Sequence, residues 1–231
     1  MNKILRIYNQ LFKVYGPQGW WPLICERSNP TKNGEIKGYH PNNYEFPKTC
    51  NQIYEVCIGA ILTQNTSWRQ VEKTLLNLNK LNAISPKSIM AMDIERLKEA
   101  IKPAGYFNQK AIKLKRFTEF FLSLNGRTPT RDELLSIWGV GKETADSMLL
   151  YAFKMPTFIV DAYTRRIFTN LRMIDKDDAY DEIKALFENN LEHDLIIYQE
   201  YHALIVEHAK CYYSKKPYGD DDSLIVDLSI K

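Results

Sequence analysis

The tripeptide Gly139-Val140-Gly141 is the feature that most constrains this chain. It separates a short apolar segment, residues 134–138, from a second segment with helical spacing that begins near Lys142. Glycine adopts the positive φ that a tight turn requires, and without a side chain it lets a ligand approach the backbone. The first N–H groups of a helix lack intrahelical partners and favour an anion. The pattern therefore predicts a helix-hairpin-helix motif that grips phosphate, with nucleic acid as the partner.

Asp161 lies twenty residues beyond Gly141, after the apolar run 158–160 and before the segment 162–171, which has helical spacing. One interpretation is that Asp161 caps this helix, because aspartate accepts hydrogen bonds from early helix N–H groups. A capping carboxylate is also oriented and kept ionised by the helix dipole. Such a group could stabilise an oxocarbenium-like sugar or orient an attacking water. The two roles are compatible.

Composition and charge narrow the function classes. The chain has 231 residues, of which 45% are hydrophobic, 12% are aromatic and 26% are charged, as in ordinary globular proteins. Its net charge is only +3, so nucleic-acid affinity must come from a local surface and oriented backbone groups. We expect a cytoplasmic, nucleoid-associated protein without a membrane span, since no apolar run approaches the roughly 18 residues of a spanning helix.

Apolar residues recur at three- and four-residue spacing over most of the chain, which predicts an all-α protein. The exception is the segment 16–51, which contains five of the ten prolines and is predicted to be a long loop. The apolar run 224–230 is compatible with a short strand or a helix end. Helices are predicted near 2–15, 53–62, 67–81, 86–91, 93–102, 108–124, 162–171, 177–191 and 194–213.

The stretch GVGKETAD, followed by FIVDAYTRRI, resembles the helix-hairpin-helix DNA glycosylases of the endonuclease III superfamily. Residues 60–66 resemble the early helix and the loop that carries the intercalating glutamine of this family, and residues 103–111 resemble its mid-domain turn. The resemblance covers residues 53–213. It implies two helical domains with an active site in the cleft between them, and hydrolysis of the N-glycosidic bond of a flipped base.

The resemblance also implies the domain boundaries. A helical barrel domain is expected at 53–160, with the helix-hairpin-helix at 134–153. A second, discontinuous helical domain is expected from 1–52 plus 161–231. The partner expected is double-stranded DNA that contains a damaged base, and nothing in the sequence demands more than a monomer.

Residue roles follow from the matched motifs. Asp161 matches the family aspartate and is expected to be catalytic. Gln64 matches the wedge that fills the gap left by the flipped nucleotide, although an ordinary polar loop residue is the alternative. The DNA-binding residues implied are Gln64, Gly139, Val140, Gly141, Lys142 and Thr144.

The hairpin departs from the bifunctional endonuclease III pattern, in which a nucleophilic lysine stands two residues after the second glycine. That position is Glu143 here, and Lys142 lies one residue earlier, about 100° away around a helix. A Schiff-base lyase mechanism is therefore not expected. A water-using, monofunctional glycosylase is the class implied.

The C-terminal segment departs from the same pattern. Cys211 matches the first of four cysteine ligands of an iron–sulfur cluster, whereas Tyr218, Asp221 and Asp227 stand near the other three. A single thiolate cannot hold a [4Fe–4S] cluster. We expect no cluster and no other cofactor or metal.

Within the superfamily, the chain looks most similar to the 3-methyladenine DNA glycosylase III branch, which also lacks the cluster and has Glu after the hairpin lysine. Alkylation makes a purine cationic, which weakens its glycosidic bond and strengthens its stacking on aromatic faces. The resemblance implies these base-pocket positions: Trp20, Trp21, Pro22, Tyr54 and Glu143. The two tryptophans and Tyr54 could instead be core residues, and Glu143 could be a carboxylate in the first turn of a helix.

Three alternatives remain open at this point. The lesion could be a mismatched uracil or thymine, or an oxidised base, instead of 3-methyladenine. The chain could also be a non-catalytic helix-hairpin-helix module. The 108–124 helix carries a basic run: Lys110, Lys113, Lys115 and Arg116. This run is a solvated face, or some of its members contact phosphate.

Overall fold

The computed structural model describes residues 2–24 and 38–224. All regular secondary-structure elements in these residues are helices, which confirms the all-α class. Cys25, Asp227 and the run 225–230 lie outside the described residues. The helices are α1 (Lys3–Tyr15), α2 (Cys50–Leu62), α3 (Trp68–Lys80), α4 (Pro86–Ala91), α5 (Ile94–Ile101), α6 (Phe107–Ser123), α7 (Arg131–Leu135), α8 (Lys142–Ser147), α9 (Ala162–Asn170), α10 (Tyr180–Glu188) and α11 (Leu195–Tyr212).

Local sequence signals set several helix starts. Thr49 and Gln52 form a capping box at α2, and Thr130 and Glu133 form another at α7. Each capping box satisfies two backbone donors that the first helical turn leaves unpaired. Beyond α8 the chain continues as a π-helix, Met148–Ala152, a wider turn that the periodicity does not reveal.

The chain divides into two compact units. Unit 1 comprises Met1–Trp20, Pro41–Tyr44 and Lys154–Lys231, and unit 2 comprises Trp21–His40 and Glu45–Phe153. The last junction therefore falls seven residues earlier than the boundary at 160 expected from the sequence. The residues directly before α2, which were expected with the other domain, also lie in unit 2.

Helix α2 forms the centre of unit 2. It buries ten of its thirteen residues and contacts α3, α6, α8 and the π-helical segment. Tyr54 on α2 packs among the rings of Phe117 and Phe121 on α6. Burial on all sides follows from the composition of α2, which is almost wholly apolar and lacks a polar face.

Helix α11 forms the centre of unit 1 and packs against α1 and α9. Its Tyr201 ring meets Phe158, Phe168 and Phe187, and the rings of Phe158 and Phe187 stack at 4.1 Å. Aromatic pairs of this kind contribute about 0.5–1.5 kcal/mol beyond their buried area. The core of unit 1 thus lies directly beneath the segment that ends at Asp161.

A buried polar network ties the end of α11 to the following segment. Asp222 Oδ2 lies 2.9 Å from His208 Nε2 and accepts a 2.8 Å hydrogen bond from the Tyr213 hydroxyl. The other ring nitrogen of His208 lies 3.0 Å from the Tyr15 hydroxyl of α1. Since the His208 and Asp222 side chains are fully buried, these bonds fix the C-terminal segment against α1 and α11.

Candidate functional site

The predicted hairpin is present in unit 2. Helix α7 ends at Leu135, and α8 begins with Gly141 as its N-cap. Arg131 binds the fully buried carboxylate of Asp146 in bidentate fashion, at 2.8 and 3.0 Å, and so links α7 to α8. Val140 points inward and is 7% exposed. The interhelical ion pair and the buried valine make the turn a rigid element.

The two glycines of the hairpin have different environments. Gly139 has a φ of +88°, and a Cβ there would lie 2.6–2.8 Å from three carbons of the Lys113 side chain. Gly141 has a φ of −94°, and a Cβ there would meet nothing within 4 Å. Gly139 is therefore required by the fold of unit 2, whereas Gly141 is an exposed glycine at the start of a helix.

Gln64 is bound to the hairpin. Its amide nitrogen donates to Gly139 O at 2.9 Å and to Thr144 Oγ1 at 3.0 Å. Its amide oxygen accepts a 2.5 Å hydrogen bond from the Lys113 ammonium. The loop between α2 and α3 is thus connected to both the turn and the second helix of the hairpin. Three of the residues named for DNA binding, Gln64, Gly139 and Thr144, are thus joined with Lys113 in one hydrogen-bonded set.

The basic run on α6 is mostly engaged within the protein. Lys110 is 2% exposed and donates to Leu62 O, Thr66 Oγ1 and Ala104 O, at 2.7–2.9 Å. Burial lowers the pKa of Lys110 to about 8. Lys110 is therefore a buried clamp on the loop that carries Gln64, and the interpretation of this residue as a solvated or phosphate-binding lysine is wrong.

Asp161 is the N-cap of α9, as the sequence predicted. Its Oδ1 accepts hydrogen bonds from Thr164 N at 2.7 Å and from Thr164 Oγ1 at 2.8 Å. Its Oδ2 lies 3.7 Å from His202 Nε2. Burial by itself raises the pKa of Asp161, but the His202 imidazole and the Thr164 donors outweigh it and hold this pKa below its ordinary value. The carboxylate is ionised at neutral pH, and 13% of its side-chain surface is exposed.

Trp20 contacts His202, the imidazole that faces this carboxylate in unit 1. Its ring meets the His202 imidazole edge-on, with 5.8 Å between centroids and an interplanar angle of 86°. Trp20 is partly exposed, whereas His202 is 5% exposed. Of the base-pocket residues named from the sequence, Trp20 is the one that lies in the same unit as Asp161, and it contacts the histidine that faces this carboxylate.

Trp21, Pro22 and Tyr54 belong to the interior of unit 2. The Trp21 ring meets the rings of Trp68 and Tyr151 and lies against Gly59, where a Cβ would come within 3.2 Å of the indole. Tyr54 is fully buried. These side chains offer little or no surface to a stacked base here, in line with the core role that was the alternative for them.

Lys142 and Glu143, the polar residues that follow the turn, are both exposed at the start of α8. An exposed Glu143 at this first-turn position has a favourable interaction with the helix dipole. This exposed position of Glu143 corresponds to the first-turn carboxylate that the sequence offered as the alternative to a base-pocket residue.

The segment after α11 does not fit an iron–sulfur cluster. Cys211 is exposed, and it lines a surface depression of about 360 Å³ together with tyrosine, serine, lysine, proline and aspartate side chains. Such clusters are held by four thiolates, or by thiolates with histidine. Among residues 2–24 and 38–224, no group of three or more His, Cys, Asp or Glu side chains could hold a metal ion.

Sequence reasoning missed His202 and the bond between Lys113 and Gln64. His202 is one of two histidines on an apolar helix, and nothing in its spacing separates it from a core residue. Lys113 stands in a basic run whose members have different roles. Neither residue carries a local signal, because each role depends on a partner that is distant in the sequence: Gln64 is 49 residues from Lys113, and Asp161 is 41 residues from His202.

Residues 58–193 match the model of the HhH-GPD superfamily base excision DNA repair protein family. A Methanocaldococcus jannaschii protein named "Putative DNA repair glycosylase" is 44% identical over 229 residues, which cover 94% of this chain and 92% of the relative. Endonuclease III of Sulfolobus acidocaldarius is 30% identical over 185 residues, which cover 78% of this chain and 82% of that protein.

Solved structures are similar over nearly the whole chain. The Helicobacter pylori 3-methyladenine DNA glycosylase bound to 1,N6-ethenoadenine has a TM-score of 0.67 and 26% identity, and the match covers 91% of this chain and 98% of that one. An endonuclease III–DNA complex has a TM-score of 0.74 and 18% identity, with coverage of 99% and 95%. Within the described part of the chain, no helix is long and apolar enough to cross a membrane.

Proposed function

Because this chain belongs to the HhH-GPD superfamily of base excision DNA repair proteins, we propose that it is a monofunctional glycosylase for alkylated purines in double-stranded DNA. Membership of this family supports DNA glycosylase activity in base excision repair. The proposal adds the lesion, the attacking group and the lack of strand cleavage. The product is a free base and an abasic site.

The observation that supports a hydrolytic mechanism most strongly is the state of Asp161. It is an ionised, partly exposed carboxylate whose Oδ1 is held by Thr164, so its Oδ2 can face a reacting sugar. Departure of a base leaves positive charge on the deoxyribose, and a fixed anion stabilises that charge without reorganisation. The same carboxylate can orient the water that completes hydrolysis.

The hairpin and Gln64 serve DNA binding in this proposal. Exposed Gly141 lets a phosphate approach the N-terminus of α8, where the helix dipole favours an anion. Gln64 is proposed to leave its hairpin contacts and fill the gap in the duplex. Its three hydrogen bonds to the hairpin and Lys113 hold it beside the phosphate-binding turn until DNA engages.

Two features favour an alkylated purine. Trp20, which is partly exposed and contacts the histidine that faces Asp161, is proposed to provide an aromatic face for a cationic base. The H. pylori enzyme named for 3-methyladenine is similar over 91% of this chain at 26% identity. A cationic base is already a good leaving group, so little acid catalysis is needed.

The absence of lyase activity is proposed from the hairpin sequence. Glu143 occupies the position of the nucleophilic lysine, and Lys142 lies one residue earlier, exposed at the start of α8. Borohydride added during turnover is expected to trap no protein–DNA adduct. A trapped adduct would restore the lyase mechanism.

A panel of duplexes, each with one lesion, tests the substrate and the mechanism together. We expect free base from 3-methyladenine duplexes, and none from uracil, thymine-mismatch or 8-oxoguanine duplexes. Asp161→Asn should abolish release and keep DNA binding. Asp194→Asn is the matched control, because Asp194 caps α11 in the same unit through a 2.8 Å bond to Ile197 N. Wild-type rates in Asp161→Asn, or release only from a neutral lesion, would contradict the proposal.

A further inference from the structure

His202 faces the proposed catalytic carboxylate from the neighbouring helix. It lies on α11, and its Nε2 is 3.7 Å from Asp161 Oδ2. Thr164 provides both hydrogen bonds to the other oxygen, Oδ1. Therefore the two oxygens of Asp161 have different partners: one is bound by the helix that it caps, and the second faces an imidazole on another helix.

The arginines on α9 are directed to other partners. Arg165 donates to Asp178 O at 2.9 Å. Arg166 lies over the rings of Tyr163 and Tyr218 and donates to Tyr213 O. The electrostatic environment of Asp161 is consequently set by His202 and by the Thr164 donors.

The position of His202 is itself supported from two sides. Glu200, two residues earlier on α11, accepts hydrogen bonds from Gln18 N at 2.7 Å and Gly19 N at 3.5 Å. These bonds anchor the chain directly before Trp20, whose ring meets the His202 imidazole edge-on. The imidazole thus contacts the indole ring and also faces the Asp161 carboxylate, and it is only 5% exposed.

We propose that His202 is a positioning residue for Asp161: it directs Oδ2 toward the reacting sugar. The proposal rests on the catalytic role of Asp161 proposed above. A separation of 3.7 Å exceeds the length of a normal hydrogen bond. The imidazole therefore orients Oδ2 electrostatically while leaving its lone pairs for a sugar or a water.

Other charged and titratable groups of unit 1 near the pair have partners of their own. On α11 they are Glu200, which faces the Gln18 and Gly19 amides and the Tyr44 hydroxyl, and His202 itself. On α9 they are Arg165 and Arg166, which face the partners described above. The segment that follows α1 places the uncharged Trp20 ring against His202.

His202→Ala tests the inference through single-turnover release of base from a 3-methyladenine duplex, with duplex affinity measured separately. We expect release to slow by roughly 10- to 100-fold, as for misplacement of a catalytic group by about 1 Å, with affinity within about twofold of wild type. His202→Gln keeps an N–H donor and is expected to lose less. His193→Gln, at an exposed histidine of the same unit, is the control.

A second readout does not depend on turnover. Carbon-13 NMR of labelled aspartate carboxyls gives the pKa of Asp161, which should rise in both His202 variants and stay low in His193→Gln. A normal rate in His202→Ala, an unchanged Asp161 pKa, or equal losses in the Ala and Gln variants would overturn the proposal. If wild-type protein releases no base from any lesion duplex, the proposed function fails, while the NMR titration still decides whether His202 controls the carboxylate.

Discussion

The two hairpin glycines look equivalent in sequence, but the structure predicts opposite results for their alanine variants. In Gly139→Ala, a side chain must adopt a φ of +88°, and the left-handed region costs about 1–2 kcal/mol for a residue with a Cβ. The new Cβ also displaces Lys113, 2.6–2.8 Å away, and its hydrogen bond to Gln64 is lost at about 1 kcal/mol. We expect the free energy of unfolding to fall by about 2–3 kcal/mol.

Gly141→Ala is the matched control. Its φ of −94° suits any residue, and its Cβ meets nothing within 4 Å. Restricting the unfolded chain stabilises such a variant by about 0.4–1 kcal/mol, and the poorer N-cap offsets much of this gain. Stability should therefore stay within about 0.5 kcal/mol of wild type. DNA affinity should fall about 5- to 10-fold, because the methyl group lies where a phosphate would approach the α8 N-terminus.

Urea unfolding, followed by circular dichroism and tryptophan fluorescence, measures stability, and fluorescence anisotropy with a labelled duplex measures affinity. The expected pattern is a loss of stability in Gly139→Ala and a loss of affinity alone in Gly141→Ala. Wild-type stability in Gly139→Ala, or a larger loss of stability in Gly141→Ala, would refute the assignment of Gly139 to a strained position packed against Lys113.

Three further predictions concern buried charges and polar groups. Burial lowers the pKa of Lys110 to about 8, so between pH 8 and about 10.5 the unfolded chain binds more protons than the folded chain. The free energy of unfolding of the wild type, measured in urea, should therefore rise with pH across this window relative to that of Lys110→Met. Arg131→Met leaves the buried Asp146 carboxylate without its bidentate partner and should cost about 3–5 kcal/mol, partly recovered when Asp146→Asn is added. Asp222→Ala removes the acceptor shared by a buried histidine and a buried tyrosine, and should lower thermal stability by about 2–4 kcal/mol; if its melting temperature matches that of wild type, the network does not hold the C-terminal segment.

The helices were predictable because their signals are local. The prediction of a helix at 67–81 corresponds to α3 (Trp68–Lys80), and the prediction at 194–213 corresponds to α11 (Leu195–Tyr212). The apolar spacing predicts the first hairpin helix at 134–138, whereas α7 spans Arg131–Leu135, because the capping box of Thr130 and Glu133 sets its start. Apolar spacing marks the face that a helix buries, whereas capping residues mark its start.

The candidate site was predictable only in part. The N-cap geometry of Asp161 follows from an aspartate placed directly before a helix, and it is confirmed. The sequence left open whether Trp21 and Tyr54 line a pocket or fill the core, since an aromatic residue suits both environments. The structure buries both in unit 2, because α2 is enclosed by several other helices.

By itself, the sequence determined the all-α class, the glycine turn and the capped carboxylate, each of which is encoded within a few neighbouring residues. Only the tertiary structure decided that His202 stands beside Asp161, that Lys113 binds Gln64, and that Gly139 but not Gly141 is closely packed. These contacts join residues far apart along the chain. They depend on how whole helices pack, and side-chain packing across helices leaves no periodic pattern in the sequence of either partner.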